Sequence, residues 1–271
     1  MLTVAVTGAA RGIGLAIAEE CVRRGHRVLL GDLSRPEVDA VAARLGCLGG
    51  ALDVTDDASY AAWLALADID VLVNNAGVMW VGAYDEEPVA AGRRMMDVNF
   101  WGVVRGTRLV LPAMRARRRG HVITVASLAS YVGPPGEATY GATKHAVHGW
   151  LKAVRAELRG SGVDFTIVMP AVVETELAAG TSSGGMARLT PAAVAAAVAD
   201  AIDKPRFEVF VPPRTGVLVR VMSLVGERGR DLMYAKLVPD QVRAVDRGKR
   251  EAYEARRVLD GAAPPDRPAP D

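Results

Sequence analysis

The sequence predicts a three-layer, doubly wound α/β fold in a single domain. Seven short apolar runs alternate with helical stretches, which is the order of a parallel sheet covered by helices on both faces. The chain has 271 residues, of which 50% are hydrophobic, and this is enough for one large core. Only 5% are aromatic, and the prevalence of Ala, Val and Leu is typical of helices packed on a buried sheet.

Each predicted strand is a short apolar run bounded by turn residues. The strands are expected at residues 2–6, 28–30, 51–52, 71–73, 122–125, 165–168 and 208–211. The longest helices are expected at residues 88–118 and 141–159. Thr190 followed by Pro191 predicts a capped helix start, with the helix over residues 192–202. Because ligands bind at the carboxyl ends of the strands in such sheets, functional residues are expected directly after strands.

Composition argues against several classes of function. The formal net charge of +2 is too small to indicate a nucleic-acid partner. Cys21 and Cys47 have no CxxC partner and no neighbouring histidine cluster, so we expect reduced thiols and no metal site. No basic leader with an apolar segment precedes the first strand, and no apolar run reaches the roughly 18 residues of a membrane span. A cytoplasmic protein is therefore expected.

The turn after the first strand has the composition of a phosphate-binding loop. Gly8, Gly12 and Gly14 form a Gly-x-x-x-Gly-x-Gly pattern that leads into a helical segment. Small residues let the backbone turn tightly and approach a pyrophosphate, and the free N–H groups at the start of the helix favour an anion. Arg11 and Ile13 belong to the same loop. We therefore expect a dinucleotide to bind here.

Asp32 indicates which dinucleotide is bound. It ends the second strand, eighteen residues after Gly14, where an acid can bind the adenosine ribose hydroxyls. Its carboxylate repels a 2′-phosphate, which favours NAD over NADP, and the adjoining Leu33 is expected at the same site. Arg11 and Arg35 are the residues that could instead reach a 2′-phosphate, so NADP stays the alternative.

Tyr140 and Lys144 form a candidate acid–base pair. Four positions apart at the start of a predicted helix, they share one face. The ordinary pKa of tyrosine is about 10, and a nearby ammonium group lowers it by favouring the phenolate. Such a hydroxyl can exchange a proton with an alcohol or a carbonyl oxygen as hydride moves. Ser127, just after the strand at 122–125, is expected to bind the substrate oxygen, with Ser130 as its rival.

The four histidines offer no competing catalytic group. His26 and His121 are expected in loops. His145 and His148 follow Lys144 on its helix and are expected to pack or to face solvent. Tyr140 stays the predicted proton carrier, and the predicted chemistry requires no metal ion.

The full set of motifs resembles the short-chain dehydrogenase/reductase family. The resemblance covers residues 2–211, and the motifs occur in the order that the family shows. They are the loop at residues 7–14, Asp53-Val54, Asn74-Asn75-Ala76-Gly77, Asn99, Ser127, Tyr140-Gly-Ala-Thr-Lys144 and the segment from Pro170 to Thr175. The resemblance implies a Rossmann-type fold, an NAD(P)-dependent oxidoreductase and association into homodimers or homotetramers.

The resemblance also assigns roles to individual positions. Asp53 and Val54 would lie beside the adenine, with the acid accepting a hydrogen bond from its amino group. The residues that would line the cofactor near the central strands are Asn75, Ala76 and Gly77. Asn99 would anchor a water molecule that links Lys144 to bulk solvent.

On the nicotinamide side, the resemblance assigns the segment that begins at Pro170. Val173 would bind the carboxamide through its backbone, with Thr175 nearby, and Lys144 would hold the ribose hydroxyls. Where the family usually has glycine after the proline, this chain has Ala171. That departure adds one methyl group to this side of the pocket and removes no catalytic group.

Residues 214–259 are expected to form a helical, basic extension. Residues 214–257 contain eleven Lys and Arg against six Asp and Glu, a local excess of +5. Three interpretations stay open: packing on the domain or on a second subunit, contact of residues 214–238 with an anionic membrane surface, and a lid over the substrate pocket. Residues 179–187 are expected to form a mobile loop over the site, and residues 260–271 to be disordered.

Together these observations predict an NAD(P)-binding oxidoreductase domain over residues 1–213. It would interconvert a secondary alcohol and a ketone, and the apolar loops around the site favour a lipophilic small molecule. An NADPH-dependent 3-ketoacyl reductase is an alternative among enzymes. Outside enzymes, the alternative is a non-catalytic dinucleotide-binding sensor or scaffold.

Overall fold

A parallel sheet of seven strands forms the centre of the computed structural model, which describes residues 1–259. The strands are β1 (Thr3–Thr7), β2 (Arg27–Asp32), β3 (Leu48–Ala51), β4 (Val71–Asn74), β5 (Gly120–Val125), β6 (Val163–Pro170) and β7 (Glu208–Val211). Their order is β3-β2-β1-β4-β5-β6-β7, and every pairing is parallel. The order reverses between β1 and β4, which opens a crevice at the carboxyl ends of those strands. The predicted doubly wound fold is confirmed.

Helices cover both faces of the sheet. They are α1 (Gly12–Arg23), α2 (Arg35–Leu45), α3 (Asp57–Leu64), α4 (Val89–Met96), α5 (Gly102–Ala116), α6 (Ala138–Glu157), α7 (Pro191–Asp203), α8 (Arg214–Leu224), α9 (Glu227–Leu237), α10 (Gln241–Ala244) and α11 (Arg247–Glu254). The predicted cap of α7 is present, because the Thr190 side chain accepts a hydrogen bond from the N–H of Ala193.

Two hydrophobic cores lie on the two sides of the sheet. On one side α1, α2 and α7 pack through residues that include Ile17, Val38 and Val198. On the other side α3 and α6 contribute Trp63 and Leu151. Successive strand residues point to opposite cores, as the pleat of a doubly covered sheet requires. The crevice lies at the edge where these two layers meet.

The predicted helix over residues 88–118 is interrupted in the structure. A π-helical turn over Asp97–Trp101 separates α4 from α5. A pattern of apolar residues does not show such a turn, because it adds only one residue to the helical repeat. The turn contains Asn99, which is fully buried. π-Turns inside helices are frequent at functional sites.

Two expectations about strands are wrong. His121, expected in a loop, belongs to β5 and is 5% exposed, with its Nε2 2.8 Å from the Thr166 hydroxyl oxygen. A polar residue at a strand start does not register as part of an apolar run. The third strand begins three residues before the predicted start. It passes through Gly50, where a Cβ would lie 3.1 Å from the Trp63 side chain. Packing against Trp63 therefore favours glycine in this strand, whereas a glycine in the sequence alone predicts a turn.

Between β7 and residue 259 the chain is mostly helical. Helices α8 to α11 lead to a π-helical turn over Ala255–Leu259. Within residues 1–259, no helix combines the length and the apolar character that crossing a membrane demands. The tail expected to be disordered, residues 260–271, lies outside the described residues.

Candidate active site

The crevice at the carboxyl edge of the sheet opens into a cavity of about 630 Å³. Each of six strands is followed directly by a residue on its wall: Gly8, Leu33, Leu52, Asn75, Ala126 and Ala171. The volume falls in the range of small-molecule sites, about 300–1,000 Å³. Its position is the one at which open parallel sheets bind ligands.

All but two of the predicted site residues lie on the cavity wall. Those on the wall are Gly8, Arg11, Gly12, Ile13, Asp32, Leu33, Asp53, Val54, Asn75, Ala76, Gly77, Ser127, Tyr140, Lys144, Pro170, Val173 and Thr175. Gly14 lies beneath the loop, where a Cβ would approach the Gly8 carbonyl oxygen to 2.1 Å, so glycine is required there for packing. Asn99 is buried behind the wall, and Ser130, the rival of Ser127, is also absent from it.

The loop between β1 and α1 is shaped for the close approach of a ligand. Gly8 has φ +65°, and a Cβ there would lie 2.9 Å from the Ala76 Cα. Gly12 also has a positive φ, of 55°. No side chain caps the first turn of α1, so the helix N–H groups that lack intrahelical partners are available to an anion.

Asn75 fastens the loop after β4 to the phosphate loop. Its side-chain N–H group donates to the carbonyl oxygens of Thr7 at 2.9 Å and Gly8 at 3.1 Å. The Thr7 hydroxyl oxygen accepts hydrogen bonds from the backbone N–H groups of Asn75 and Ala76, both at 3.0 Å. These contacts fix the separation of the two loops that border the crevice.

Asp32 and Asp53 follow the pattern of acids at strand ends. Asp32 is 8% exposed, and its carboxylate accepts a hydrogen bond from the N–H of Ala10 at 3.0 Å. The Asp53 carboxylate accepts two hydrogen bonds from Thr55, from the N–H at 2.9 Å and from the hydroxyl at 2.7 Å. The phosphate loop therefore holds Asp32 in place, and the loop after β3 holds Asp53.

The two arginines that could serve a 2′-phosphate are already paired with acids. Arg11 forms an ion pair with Glu37 and a second one, at 3.3 Å, with Glu176. Arg35 pairs with Asp39 at 2.6 Å and does not reach the cavity wall. Within residues 1–259, each of these two arginines thus has a carboxylate partner.

The segment after β6 forms the opposite wall. Val173 makes a single parallel bridge with Leu189, in which Glu174 donates to the Leu189 carbonyl and Leu189 donates to the Val172 carbonyl, both at 2.9 Å. The bridge fixes the backbone of Val173 beside the cavity. Within residues 1–259 the N–H of Val173 itself donates no hydrogen bond, so it is available to a ligand.

Tyr140 and Lys144 lie one turn apart on the buried face of α6. They are 7% and 6% exposed. The Lys144 Nζ is 5.5 Å from the centre of the Tyr140 ring and 3.5 Å from the carbonyl oxygen of Val125. Ser127 lies on the same wall, and its Oγ accepts a hydrogen bond from the Ala129 N–H at 3.1 Å. A phenol, an ammonium group and a hydroxyl therefore meet at one part of the cavity.

Burial controls the protonation of both α6 side chains. It raises the pKa of Tyr140 above the ordinary value, the charge on Glu137 acts in the same direction, and a polar contact with Ser127 opposes them. Burial lowers the pKa of Lys144 to about 8. The lowering of the Tyr140 pKa expected from Lys144 is not observed, because the loss of hydration dominates. At neutral pH the phenol keeps its proton.

Asn99 supports this wall from behind. Its Oδ1 accepts a hydrogen bond from the Val78 N–H at 2.8 Å, and its Nδ2 donates to the Val78 carbonyl at 2.9 Å and to the Thr143 hydroxyl at 3.2 Å. Thr143 in turn donates its hydroxyl to the Tyr140 carbonyl at 2.7 Å. The π-turn, the loop after β4 and the start of α6 are thereby connected.

Helix α11 ties the two sides of the crevice together through Arg250. This side chain is 0% exposed and pairs with Glu254 at 2.9 Å. Its guanidinium also donates to the backbone carbonyls of Met79, Leu177 and Ala179. Those carbonyls belong to the loops after β4 and β6. Arg250, from the C-terminal part of the chain, therefore holds these two loops of the site together.

The loop expected to cover the site borders the cavity and is bonded to the C-terminal helices. Thr181 and Met186 lie on the cavity wall. Gln241 of α10 binds both backbone groups of Ser182, each at 2.8 Å. The mobility expected for residues 179–187 stays a prediction.

Several residues on the wall were not predicted from the sequence. The apolar ones include Met79, Leu128, Val132, Met186, Val219, Leu237 and Val238, and the polar ones include Arg94, Glu137, Gln241, Tyr253 and Arg256. The helical extension expected after residue 213 does contribute to the wall. Leu218 and Met222 of α8 lie on it, which agrees with the interpretation of this segment as a lid. The other face of α8 is exposed at Val217, Val221 and Leu224.

Comparison with known proteins decides the family. The family described as short chain dehydrogenase matches residues 2–184. The chain belongs to the short chain dehydrogenase family. The matched region contains the phosphate loop, the π-turn with Asn99 and the Tyr140–Lys144 pair.

Three relatives of this short chain dehydrogenase carry names of dehydrogenases or reductases. The 1-deoxy-11-beta-hydroxypentalenate dehydrogenase of Streptomyces exfoliatus is 34% identical over 222 residues, which cover 76% of this chain and 81% of that one. The 3-alpha-(or 20-beta)-hydroxysteroid dehydrogenase of Mycobacterium tuberculosis is 35% identical over 179 residues, covering 64% and 69%. The ketoacyl reductase assigned to the monensin polyketide synthase of Streptomyces virginiae is 41% identical over 187 residues, covering 64% and 71%.

Solved structures with a bound dinucleotide superpose on this short chain dehydrogenase. A short chain dehydrogenase/reductase from Burkholderia phymatum, in complex with NAD, gives a TM-score of 0.76 at 25% identity and covers 88% of this chain and 96% of its own. The closed form of a serine dehydrogenase complexed with NADP⁺ gives a TM-score of 0.72 at 29% identity, covering 77% and 94%. The protein is thus an oxidoreductase of this family.

Proposed function

We propose that this oxidoreductase interconverts a secondary alcohol and a ketone with a nicotinamide dinucleotide, and that its substrate is lipophilic. The observation that carries the proposal is the meeting of Tyr140, Lys144 and Ser127 on the wall of the cavity that also contains the phosphate loop. A dinucleotide along the carboxyl edge of the sheet would extend from that loop toward these three groups.

The residues present fit such a dinucleotide. The close approach at Gly8 and the uncapped start of α1 suit a pyrophosphate, and Asp32 suits the ribose hydroxyls. Asp53 would accept from the adenine amino group, and the free N–H of Val173 would donate to the nicotinamide carboxamide. When bound, the reduced dinucleotide supplies the hydride.

In ketone reduction, Tyr140 acts as the acid. Its raised pKa keeps the phenol protonated at neutral pH, so it can donate its proton to the carbonyl oxygen as negative charge develops there. The Ser127 hydroxyl donates a second hydrogen bond to the same oxygen. The ammonium group of Lys144 stabilises the phenolate that remains and would hold the nicotinamide ribose. In alcohol oxidation the same groups act in reverse.

Asn99 acts through its neighbours. Its hydrogen bonds to Val78 and Thr143 hold the start of α6 against the loop after β4, which fixes the position of Tyr140. The water-anchoring role that the family resemblance implies for Asn99 stays a prediction.

We propose NAD as the preferred dinucleotide. The carboxylate of Asp32 repels a 2′-phosphate at the adenosine ribose. Arg11 is neutralised by two acids, and Arg35 is off the wall, so neither offers a free cation to that phosphate. NADP stays the alternative, and the serine dehydrogenase structure with NADP⁺ shows that this fold accommodates it elsewhere.

The substrate end of the cavity favours a lipophilic compound. Leu128, Val132, Leu218 and Met222 contribute apolar side chains to the wall. Two relatives are named for hydroxysteroid and hydroxypentalenate substrates, which agrees with such a pocket. The Streptomyces virginiae relative supports the alternative of a 3-ketoacyl substrate. A sensor or scaffold without turnover stays the alternative outside enzymes.

We propose that two copies of the chain associate through α5. Trp101 ends the π-turn that leads directly into α5, and Leu109 lies on α5 about two turns later, on the same side. The two side chains are 48% and 39% exposed. An exposed tryptophan aligned with a leucine is typical of an interface core, and the family resemblance implies a dimer or tetramer. Sedimentation of Trp101→Glu should show smaller particles than the unaltered protein, and an unchanged mass would contradict this arrangement.

We also propose that α8 and α9 contact an anionic membrane surface. Val217, Val221 and Leu224 are 63%, 47% and 87% exposed and share one face of α8. Residues 214–238 contain five Lys and Arg against two Asp and Glu. An exposed apolar face with excess positive charge fits anionic lipid. Because the other face of α8 lines the cavity, a lipophilic substrate could pass directly between the membrane and the site.

The proposed function is tested by oxidation of NADH and NADPH in the presence of cyclic ketones, steroid ketones and 3-ketoacyl thioesters. We expect ketone reduction with NADH to be the faster reaction, and Asp32→Ser to shift the preference toward NADPH. Turnover of thioesters alone would favour the ketoacyl alternative. Dinucleotide binding without turnover of any ketone, and without oxidation of the corresponding alcohols, would contradict the proposal.

A further inference from the structure

Glu137 is a buried carboxyl group that the proposed chemistry does not use. It directly precedes α6, three positions before Tyr140, and it lies on the cavity wall. Its exposed fraction is 9%. Within residues 1–259 its carboxyl group makes no hydrogen bond and no ion pair. Its carboxyl oxygens are not fully enclosed by protein atoms, so they are open to the cavity, where a ligand can reach them.

The backbone around Glu137 holds the side chain in a fixed position. Its N–H donates to the Pro134 carbonyl at 3.1 Å, and its own carbonyl accepts from the Gly141 N–H at 2.8 Å. The N–H of Gln241 donates to the Pro135 carbonyl at 3.0 Å, which attaches this turn to α10. Backbone hydrogen bonds therefore fix the turn from which Glu137 faces the cavity, as is required of a residue that binds a ligand.

The electrostatic surroundings of Glu137 narrow the chemistry of its partner. Burial raises the pKa of Glu137 to about 7, and the positive charge of Arg250 partly opposes this effect. Both protonation states are therefore populated near neutral pH. The carboxylate would repel an anionic partner, and the carboxylic acid would not attract a cationic one. A neutral hydroxyl group suits both states, because it can donate to a carboxylate and accept from a carboxylic acid.

We propose that Glu137 binds a second oxygen of the substrate, a hydroxyl group near the reacting carbon. The substrates would then be hydroxyketones and the corresponding diols. Glu137 immediately precedes α6 and Tyr140 lies three positions later on the same cavity wall, so one small substrate can contact both. This inference rests on the proposed function, because it assumes that the reacting oxygen lies at Tyr140.

The first test compares pairs of ketones with the unaltered protein. Cyclohexanone and 2-decalone are each compared with congeners that carry a hydroxyl group on a ring carbon near the carbonyl. We expect kcat/KM to be about tenfold higher or more for the hydroxylated member, the effect of one hydrogen bond to a charged group. Equal values would overturn this inference alone. Reduction of neither member, with no oxidation of the matching alcohols, would overturn the proposed function.

The second test uses Glu137→Leu and the nearly isosteric Glu137→Gln. Leucine has no acceptor, so the ratio of kcat/KM between hydroxylated and parent ketone should fall close to one. Glutamine keeps an oxygen at the same place and should keep most of the preference. A preference that survives in the leucine variant would overturn the inference. If the leucine variant is unstable, the comparison on the unaltered protein stays decisive.

Discussion

Burial drives Tyr140 and Lys144 toward their neutral forms. The phenol holds its proton more tightly than in water, and the ammonium group releases its proton more readily. A protonated phenol is the state that ketone reduction requires. The positive charge of Lys144 is then needed only once the phenolate has formed, so the pKa of Lys144 sets the upper pH limit of the reaction.

Ketone reduction is therefore expected to slow as the pH rises through about 8. Below that pH Lys144 is charged and stabilises the phenolate, and above it the charge is lost, with a decline approaching about tenfold per pH unit. The pH profile of kcat at saturating dinucleotide and ketone measures this. Lys144→Arg, with a guanidinium that stays charged, should be slower but lack the decline. A flat profile for the unaltered protein would contradict the role of Lys144.

His121 should make the fold sensitive to acid. Burial lowers its pKa to about 4, so the native ring stays neutral at pH values where the unfolded chain takes up a proton. Above about pH 6.5 the neutral ring causes no loss of stability. As the pH falls from about 6.5 toward 4, the free energy of unfolding decreases by up to about 3 kcal/mol. Urea unfolding at several pH values in this window measures the loss.

Two variants test this assignment. In His121→Gln the free energy of unfolding should depend less on pH between about 6.5 and 4, because no ring has to stay neutral in the core. The same substitution at His26, a half-buried residue outside the strands, is the control. An unchanged slope in His121→Gln would show that other groups cause the acid sensitivity.

At the scale of elements, strands and helices were predictable where a local pattern decides them. The seven apolar runs predicted seven strands, and the rule that ligands meet strand carboxyl ends predicted the position of Asp32 and Asn75. The π-turn at Asn99 and the glycine-rich start of β3 were not predictable. Both depend on contacts with distant residues, at Val78 and Trp63, that no short stretch of sequence contains.

The attachment of α11 should depend on Arg250. Arg250→Ala would leave Glu254 buried without its partner and remove the donors to the Met79 and Leu177 carbonyls. We expect the free energy of unfolding to fall by about 3–5 kcal/mol, as for other broken buried ion pairs. Urea unfolding gives the size of the loss, and limited proteolysis shows whether cleavage begins in residues 214–259.

Two further variants separate the ion pair from a general effect of losing an arginine. Arg243→Ala removes a side chain that is 88% exposed and should change stability by less than about 0.5 kcal/mol. Replacing the pair together, by Arg250→Met with Glu254→Leu, should recover much of the loss because no charge stays buried alone. A loss in Arg243→Ala equal to that in Arg250→Ala would contradict this account.

At the scale of the whole molecule, the site joins parts of the chain that are far apart in sequence. The phosphate loop begins at residue 8, while Tyr253 and Arg256 complete the wall from the C-terminal end. The dinucleotide half was predictable because its motifs are local. The substrate half, including Glu137, was not, because its side chains are brought together only when α8 packs on β7 and when α10 and α11 bind the loops that border the crevice.

The exposed face of α8 leads to a prediction about membranes. The protein should float with phosphatidylcholine vesicles only when they also contain an anionic lipid, since each cation contributes about 1 kcal/mol near such a surface. Binding should weaken as salt is added, because the attraction is screened. Leu224→Glu with Val221→Glu should abolish flotation. Equal binding to neutral and anionic vesicles, or none to either, would contradict the proposal.

A change of mass in that double variant would instead identify the face as a subunit contact. Sedimentation of the unaltered and double-variant proteins without vesicles distinguishes the two outcomes. We expect the same mass for both, because the proposed subunit contact involves Trp101 of the π-turn and Leu109 of α5, and neither residue lies on α8.

The central claim is that this cavity couples hydride transfer to a proton from Tyr140. It is tested most directly with NADH in which both hydrogens at C4 are replaced by deuterium, a reducible ketone and three proteins: unaltered, Tyr140→Phe and Tyr84→Phe, whose parent residue is 83% exposed and off the wall. We predict deuterium on the carbinol carbon of the product, and a loss of about 10²–10⁴ in kcat for Tyr140→Phe alone, with dinucleotide binding retained. Near-normal turnover by Tyr140→Phe, or a product without deuterium, would contradict the claim.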